Sequence, residues 1–485
     1  MKKIYCLLTI ALPVYGCSHQ TNTANVSSAV QVKNADTVKS APAPATPIAV
    51  GLTDTVYASS DATIKYAVYL PPSYSKAKKY PVIYFFDPHG HGDLPLKLYK
   101  GLADRYGYIL AGSYNSKNGM QFSVTEKLAQ SFMQDTWQRL SIDNNRIYTS
   151  GFSGGALVAS SIALYDGGIA GVIACGSGFP VKNPQINTPF AFIGLVGEYD
   201  FHFTDMKMLD KALDASPLPH QLIVFKGTHQ WAPMGTEEDA FRWLDVNAMK
   251  MHFIPKNDSL VKAVYNSFLK EANAFEKKKN TPQEYLTGKK MVNYLTGLMD
   301  LSDINARIPG LEKSDALAQY LAGEAEAERQ EMTDQQQLIN ALSDKDMAWW
   351  QQAVAGMRKA IKTDSSSPEA MEDKRLLNYM SLATYMGASQ AFKAFNDDAT
   401  SHFLELYKLV DPGNPEHSYL YACMFARANQ GDKAMSFLKD AVKLGFSDYS
   451  RMQADSNLVS LKDKPAFREL LHKVAAMPPK TDMTQ

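Results

Sequence analysis

The stretch Arg146–Ala156 constrains this chain more than any other. Ile147 to Ser150 read as the end of a buried strand. Gly151-Phe152-Ser153-Gly154-Gly155 follow, and Ala156 to Leu164 continue as an apolar helix. A strand that turns into a helix through so few small residues leaves its central side chain on a strained, exposed corner. Glycines flank that corner because nearby backbone would otherwise meet a Cβ. The side chain presented is Ser153. Its hydroxyl becomes a nucleophile only if a base can take its proton and an acid can orient that base.

The segments around this stretch alternate strand and helix patterns. Val56 to Leu70 hold two strand-like runs around Ser59-Ser60-Asp61, the pattern of an antiparallel hairpin. Tyr80 to Phe86 are continuously apolar, as in a strand covered on both faces. Leu94 to Tyr106 and Val124 to Leu140 read as helices. Tyr108 to Gly112, Gly171 to Cys175, Phe190 to Val196 and Leu222 to Phe225 read as further strands, and Glu238 to Met251 as a closing helix. Such alternation predicts a mostly parallel sheet, with chemistry at the carboxyl ends of its strands. Asp200 follows one of those ends, in Gly197-Glu198-Tyr199-Asp200. His229 follows the next, in Lys226-Gly227-Thr228-His229. His229 can then take the Ser153 proton while Asp200 orients and stabilises the imidazolium. Glu198 and Asp205 are the rival acids.

A tetrahedral oxyanion would need donors fixed in advance. The Gly154 backbone N–H is the first. His91, in the Gly90-His91-Gly92 turn after the Tyr80–Phe86 strand, is expected to supply the second. Asn115, Lys117 and Asn118 end a strand on the same face, and Trp231 follows the base; all four are candidate substrate contacts. His89, His91 and His202 hold no acidic or Cys partner at metal-ligand spacing, so neither a metal nor another cofactor is expected.

The order Ser153, Asp200, His229 resembles that of the α/β-hydrolase superfamily. The segments Y-P-V-I-Y-F-F-D-P-H-G, N-R-I-Y-T-S-G-F-S-G-G, G-E-Y-D-F and G-T-H-Q-W resemble esterases of the feruloyl esterase, polyhydroxybutyrate depolymerase and dienelactone-hydrolase-like kind. The resemblance covers residues 51–251 and implies an α/β-hydrolase domain that cleaves an ester. Only Gly176 to Pro189 separate two strands where many hydrolases insert a helical cap. An open site is therefore expected, suited to a bulky or polymer-borne ester.

Residues 1–17 form an export signal, with Lys2 and Lys3 before the apolar Ile4 to Val14. Val14-Tyr15-Gly16-Cys17 resembles a bacterial lipoprotein signal. That implies lipidation of Cys17 and a place in the cell envelope, at the outer membrane facing the periplasm. Residues 18–50 are rich in Ser, Thr, Asn, Ala and Pro and read as a flexible linker. Lys+Arg and Asp+Glu both number 50, which leaves no basic footprint for nucleic acid. Cys175 and Cys423 lie in apolar contexts as buried free thiols.

From 252 to 485 the pattern turns all-helical. Pro412 and Phe446 stand one 34-residue period apart, and Ala422, Phe425, Gly431, Ala434, Leu438 and Ala441 resemble a tetratricopeptide unit. The resemblance implies a helical domain that binds a protein partner. Two other functions remain open on the sequence: a serine peptidase of prolyl-oligopeptidase type, and a repeat-bearing adaptor with an inactive hydrolase domain.

Overall fold

The computed structural model describes residues 48–181, 184–186 and 188–477. The signal, Cys17 and residues 18–47 of the linker lie outside the described residues. Eight strands form one sheet: β1 (Thr53–Tyr57), β2 (Lys65–Tyr69), β3 (Tyr80–Phe86), β4 (Ile109–Ser113), β5 (Ile142–Phe152), β6 (Gly171–Cys175), β7 (Ala191–Gly197) and β8 (His220–Phe225). Their spatial order is β1-β2-β4-β3-β5-β6-β7-β8. β2 is antiparallel to both of its neighbours, and β3 to β8 run parallel. Helices α1 (Leu94–Tyr106), α2 (Phe122–Arg139), α3 (Gly154–Tyr165), α4 (Phe203–Leu213) and α5 (Met234–Lys250) connect and follow these strands.

Alternation along each strand builds two cores. Val82, Tyr84 and Phe86 face Phe132 of α2 and Ala156 and Ile162 of α3. Ile83 and Phe85 face Leu96 and Tyr99 of α1 and Phe241 and Trp243 of α5. Because β3 to β8 are parallel, their carboxyl ends lie along one edge of the sheet, and the loops leaving them are neighbours. Two elements differ from the sequence pattern. β5 starts at Ile142 rather than Arg146, its first half carrying half-exposed polar residues that mask the strand signal. Between β7 and β8 the chain also forms α4, whose charged and apolar residues mix without a clear start signal.

The remaining described chain is helical: α6 (Asp258–Lys277), α7 (Thr281–Leu295), α8 (Ser302–Glu312), α9 (Asp315–Asp344), α10 (Met347–Thr363), α11 (Pro368–Lys393), α12 (Asp397–Val410), α13 (Glu416–Arg427), α14 (Gly431–Leu444), α15 (Tyr449–Ala454) and α16 (Pro465–Ala475). The change of pattern at residue 252 is not a boundary between cores. Val261, Met291, Leu295 and Ile304 of α6 to α8 share the core of α5, and the Tyr294 and Trp243 rings are 4.6 Å apart. A separate core gathers Leu338, Trp350, Leu376, Met380 and Phe403. Helix lengths before α12 run from 11 residues in α8 to 30 in α9, without a regular period. The 34-residue spacing spans α13 and α14, which pack through Ala422, Ala426, Ala434 and Ala441. Small residues let two helix backbones approach closely there.

Glu237 in the first turn of α5 is fully buried, and neither carboxyl oxygen has a hydrogen-bond partner among the described residues. Burial raises its pKa to about 8. Between the ordinary glutamate value and about 8, the folded chain therefore holds a proton that the unfolded chain has released. Stability falls as pH rises through that window. In thermal melts Glu237→Gln should gain on the wild type by a few degrees between pH 5 and pH 9. A Tm difference that stays constant with pH would refute this.

Candidate active site

The turn from β5 into α3 holds Ser153 at φ 52°, ψ −123°, a left-handed conformation rare for a residue with a Cβ. Two close approaches keep it there. A Cβ on Gly151 would collide with the Gly155 carbonyl, and one on Gly155 with the Phe86 carbonyl at the end of β3. The Ser153 N–H donates to the Cys175 carbonyl at 2.8 Å, tying the corner to the end of β6. The strain is thus paid from packing around a corner that only glycines can form.

Asp200 is fully buried in the loop after β7. His229 lies in the loop after β8, and its Nδ1 lies 2.9 and 3.0 Å from the two Asp200 carboxylate oxygens. The His229 ring packs between Phe201 and Phe152, with ring centroids 4.2 and 4.5 Å away. Phe152 is the residue before Ser153, so the imidazole is stacked against the Ser153 turn. No hydrogen bond joins Ser153 Oγ to His229 among the described residues; such contacts commonly tighten only when substrate binds. Of the rival acids, Asp205 pairs with His202 Nδ1 at 3.0 Å, and neither it nor Glu198 hydrogen-bonds His229 among the described residues. Burial opposes a charge on His202, but Asp205 and Asp200 outweigh it and raise its pKa.

The expected second oxyanion donor is not free. Asp87, buried at the end of β3, accepts from the backbone N–H groups of His89 (2.9 Å) and His91 (3.1 Å) and from the Trp231 indole N–H (3.1 Å). The His91 N–H therefore points at a carboxylate, which corrects the expectation for His91. Pro88 has no N–H to offer. The loop after β4 fills the gap instead. The Asn118 N–H donates to the Pro88 carbonyl at 2.7 Å, and a Cβ on Gly154 would collide with the Asn118 side-chain amide. The Gly154 N–H itself makes no hydrogen bond among the described residues.

The other candidates separate. The Asn115 amide accepts from the Lys65 N–H and donates to the Thr63 carbonyl, so it joins its loop to the β2 side of the sheet. Trp231 is buried, closing the core beneath Asp87. Lys117 is exposed on the rim of a cavity of about 100 Å³. That cavity begins at Gly154 and is walled by Met120, Phe122, Leu157 and Val158. His89, His91 and His202 do not converge, and no group of three metal-ligating side chains occurs among the described residues. Cys175 and Cys423 are buried and free.

Among the described residues no helical cap precedes β7, but sequence-distant helices stand against the acid loop. Arg375 and Asn378 of α11 donate to the Glu198 and Tyr199 carbonyls at 3.2 and 2.7 Å. Burial depresses the pKa of His89, and the Asp87 charge opposes that shift. Asn118 was legible only as a candidate substrate contact, and Arg375 and Asn378 left no trace in the sequence, because a polar residue on a long helix has no local signature of what it meets.

No protein-family model matches this chain, and no curated protein matches it. Among solved structures, an S-formylglutathione hydrolase from Staphylococcus aureus is 13% identical over 40% of this chain and 95% of its own, with a TM-score of 0.34. A ferulic acid esterase is 18% identical over 39% of this chain and 93% of its own, with a TM-score of 0.30. Dipeptidyl peptidase 4 of Porphyromonas gingivalis is 16% identical over 40% of this chain and 35% of its own, with a TM-score of 0.31. These similarities are too low to bear on function. The chain itself has a mostly parallel α/β sheet followed by a large helical region.

The carboxylates can be told apart in solution. Asp200→Asn should lower turnover of an activated ester about 10³- to 10⁴-fold by removing the group that orients His229. Glu198→Gln and Asp205→Asn should stay within about threefold of wild type on the same scale. Equal losses in all three would show that Asp200 is not the orienting acid.

Proposed function

We propose that this chain is a serine hydrolase of the α/β-hydrolase type that cleaves a carboxylic ester through an acyl-enzyme on Ser153. The observation that carries this reading is the His229–Asp200 pair, held against the Phe152–Ser153 turn by ring packing. Ser153 Oγ attacks the ester carbonyl as His229 Nε2 takes its proton, and Asp200 steadies the imidazolium. The oxyanion is received by the Gly154 N–H and, in place of His91, by the side-chain amide of Asn118. The imidazolium then protonates the departing alkoxide. Water, deprotonated by His229, attacks the acyl-enzyme, and Ser153 leaves with its proton restored.

The leaving oxygen has to be within reach of His229. The cavity beside Gly154 is not lined by His229, and this supports assigning it to the acyl group. A dry cavity of about 150 Å³ takes a benzene ring; this one, at about 100 Å³, suits a short acyl chain. The bulk of the substrate, polymer-borne or otherwise, then belongs to the alcohol. On sequence alone we also propose that Cys17 is lipidated and anchors the chain at the outer membrane facing the periplasm. Also on sequence alone, outer faces of the tetratricopeptide-like helices are offered to a protein partner.

A fluorophosphonate probe should label the wild type and not Ser153→Ala; no Ser153-dependent labelling would end the hydrolase reading. Among p-nitrophenyl esters, acetyl to butyryl chains should turn over fastest, and aminoacyl arylamides should not be cleaved. The reverse preference would favour a peptidase. Asn118→Ala should lower kcat about 10²- to 10³-fold with little change in KM. An unchanged kcat would remove Asn118 from the oxyanion site.

A further inference from the structure

The acid loop is held from two sides. Its N–H groups turn inward: Glu198 donates to the Phe225 carbonyl at 2.9 Å, Tyr199 to Gly227 at 2.9 Å, and Asp200 to Gly197 at 3.0 Å. Its carbonyls turn outward and are met by side chains of the helical region. Arg375 takes Glu198, and Asn378 takes Tyr199. Arg375 is fixed in turn by Glu331 of α9, through Nε to Oε1 at 2.8 Å and Nη2 to Oε2 at 2.7 Å. Glu331 also accepts from Thr204 Oγ1, at the start of α4, at 2.9 Å. Thr204, Glu331 and Arg375 are each less than a tenth exposed, and the Arg375 guanidinium lies 4.6 Å from the centre of the Phe203 ring.

This arrangement is costlier than docking requires. A buried Arg–Glu pair loses its hydration, and apolar residues of the same volume often hold two surfaces together as well or better. What the planar guanidinium adds is direction: two donors locked on one carboxylate leave a third aimed at a fixed point. That point is the carbonyl two residues before Asp200. We propose that Arg375, braced by Glu331, and Asn378 are positioning residues for the catalytic acid, so that the helical region is part of the hydrolase's working machinery. This rests on the triad reading above. Asp200 has to keep its carboxylate in line with His229 Nδ1, and small errors in such placement slow chemistry steeply. The outward carbonyls fix the loop's roll about its own axis, which the inward N–H groups alone leave free.

The test uses the full chain, with Asn378→Ala and the double variant Arg375→Leu/Glu331→Met, which removes the buried pair without stranding either charge. Melting temperature, Ser153 labelling rate, kcat and KM on a short-chain ester, and the pH profile of kcat/KM are measured for each. Asn378→Ala should keep a melting temperature near wild type. Its kcat should fall about tenfold, with KM within about twofold, and the double variant should fall about a hundredfold. In both, the acid limb of the profile should move to lower pH, because a less well-held carboxylate stabilises the His229 imidazolium less. Lower melting temperatures with unchanged kcat and an unmoved acid limb would overturn the proposal and leave a merely structural contact. If the double variant does not fold, Asn378→Ala decides alone. A wild type that neither labels nor turns over overturns the hydrolase reading, and this inference with it.

Discussion

One serine is kept in a backbone conformation that its side chain disfavours, and the rest of the structure is arranged around keeping it there. The left-handed φ of Ser153 is tolerable because three backbone segments converge on it without Cβ atoms between them. Gly151 meets Gly155, Gly155 meets the end of β3, and the Ser153 N–H is bonded to the end of β6. That convergence needs parallel strands whose carboxyl ends finish level with one another. It also needs a helix to start at once, so that the first N–H groups of α3 are left unpaired where charge could develop. The sheet thus fixes both Ser153 and its surroundings.

Around this corner, buried carboxylates do most of the positioning. Asp200 receives His229 Nδ1 and the His202 N–H. Asp87 gathers three N–H donors and so sets the shape of the loop after β3. Glu331 locks Arg375. Each is buried and multiply hydrogen-bonded, as a charge in a low-dielectric interior has to be. The bonds that satisfy Asp87 also turn the His91 N–H away from the Ser153 corner: a loop cannot aim the same N–H at a buried carboxylate and at a second acceptor. Glu237 is the contrasting case, a carboxyl with no partner, left to hold its proton well above the usual range.

Much of the sheet was legible before any coordinates. Tyr80–Phe86 reads as a strand buried on both faces because every residue is apolar, and all seven are buried. Asp200 and His229 were legible as loop residues because each stands a few positions past an apolar run. The polar first half of β5 and the whole of α4 were not, since half-exposed segments carry no period strong enough to read. In the helical region, the small-residue pattern of Ala422 to Ala441 does mark a close helix pair. The length of α9 and α11 and the attachment of α6 to α8 to the core of α5 have no such mark, because a helix's apolar face does not say which surface it will cover.

What the sequence determined by itself is therefore local and periodic: the alternation of strand and helix, the glycine-flanked corner at Ser153, and the positions of an acid and a base after successive strands. These follow from short-range sterics and from the hydrophobic period, which act within a few residues. What only the tertiary structure decided is which groups end up aimed at one another: the His91 N–H spent on Asp87, Asn118 laid against Gly154, and Arg375 reaching the acid loop from 177 residues away. Those outcomes depend on hydrogen-bond direction and on packing between segments distant in the chain. Neither leaves a trace in the local order of residue types.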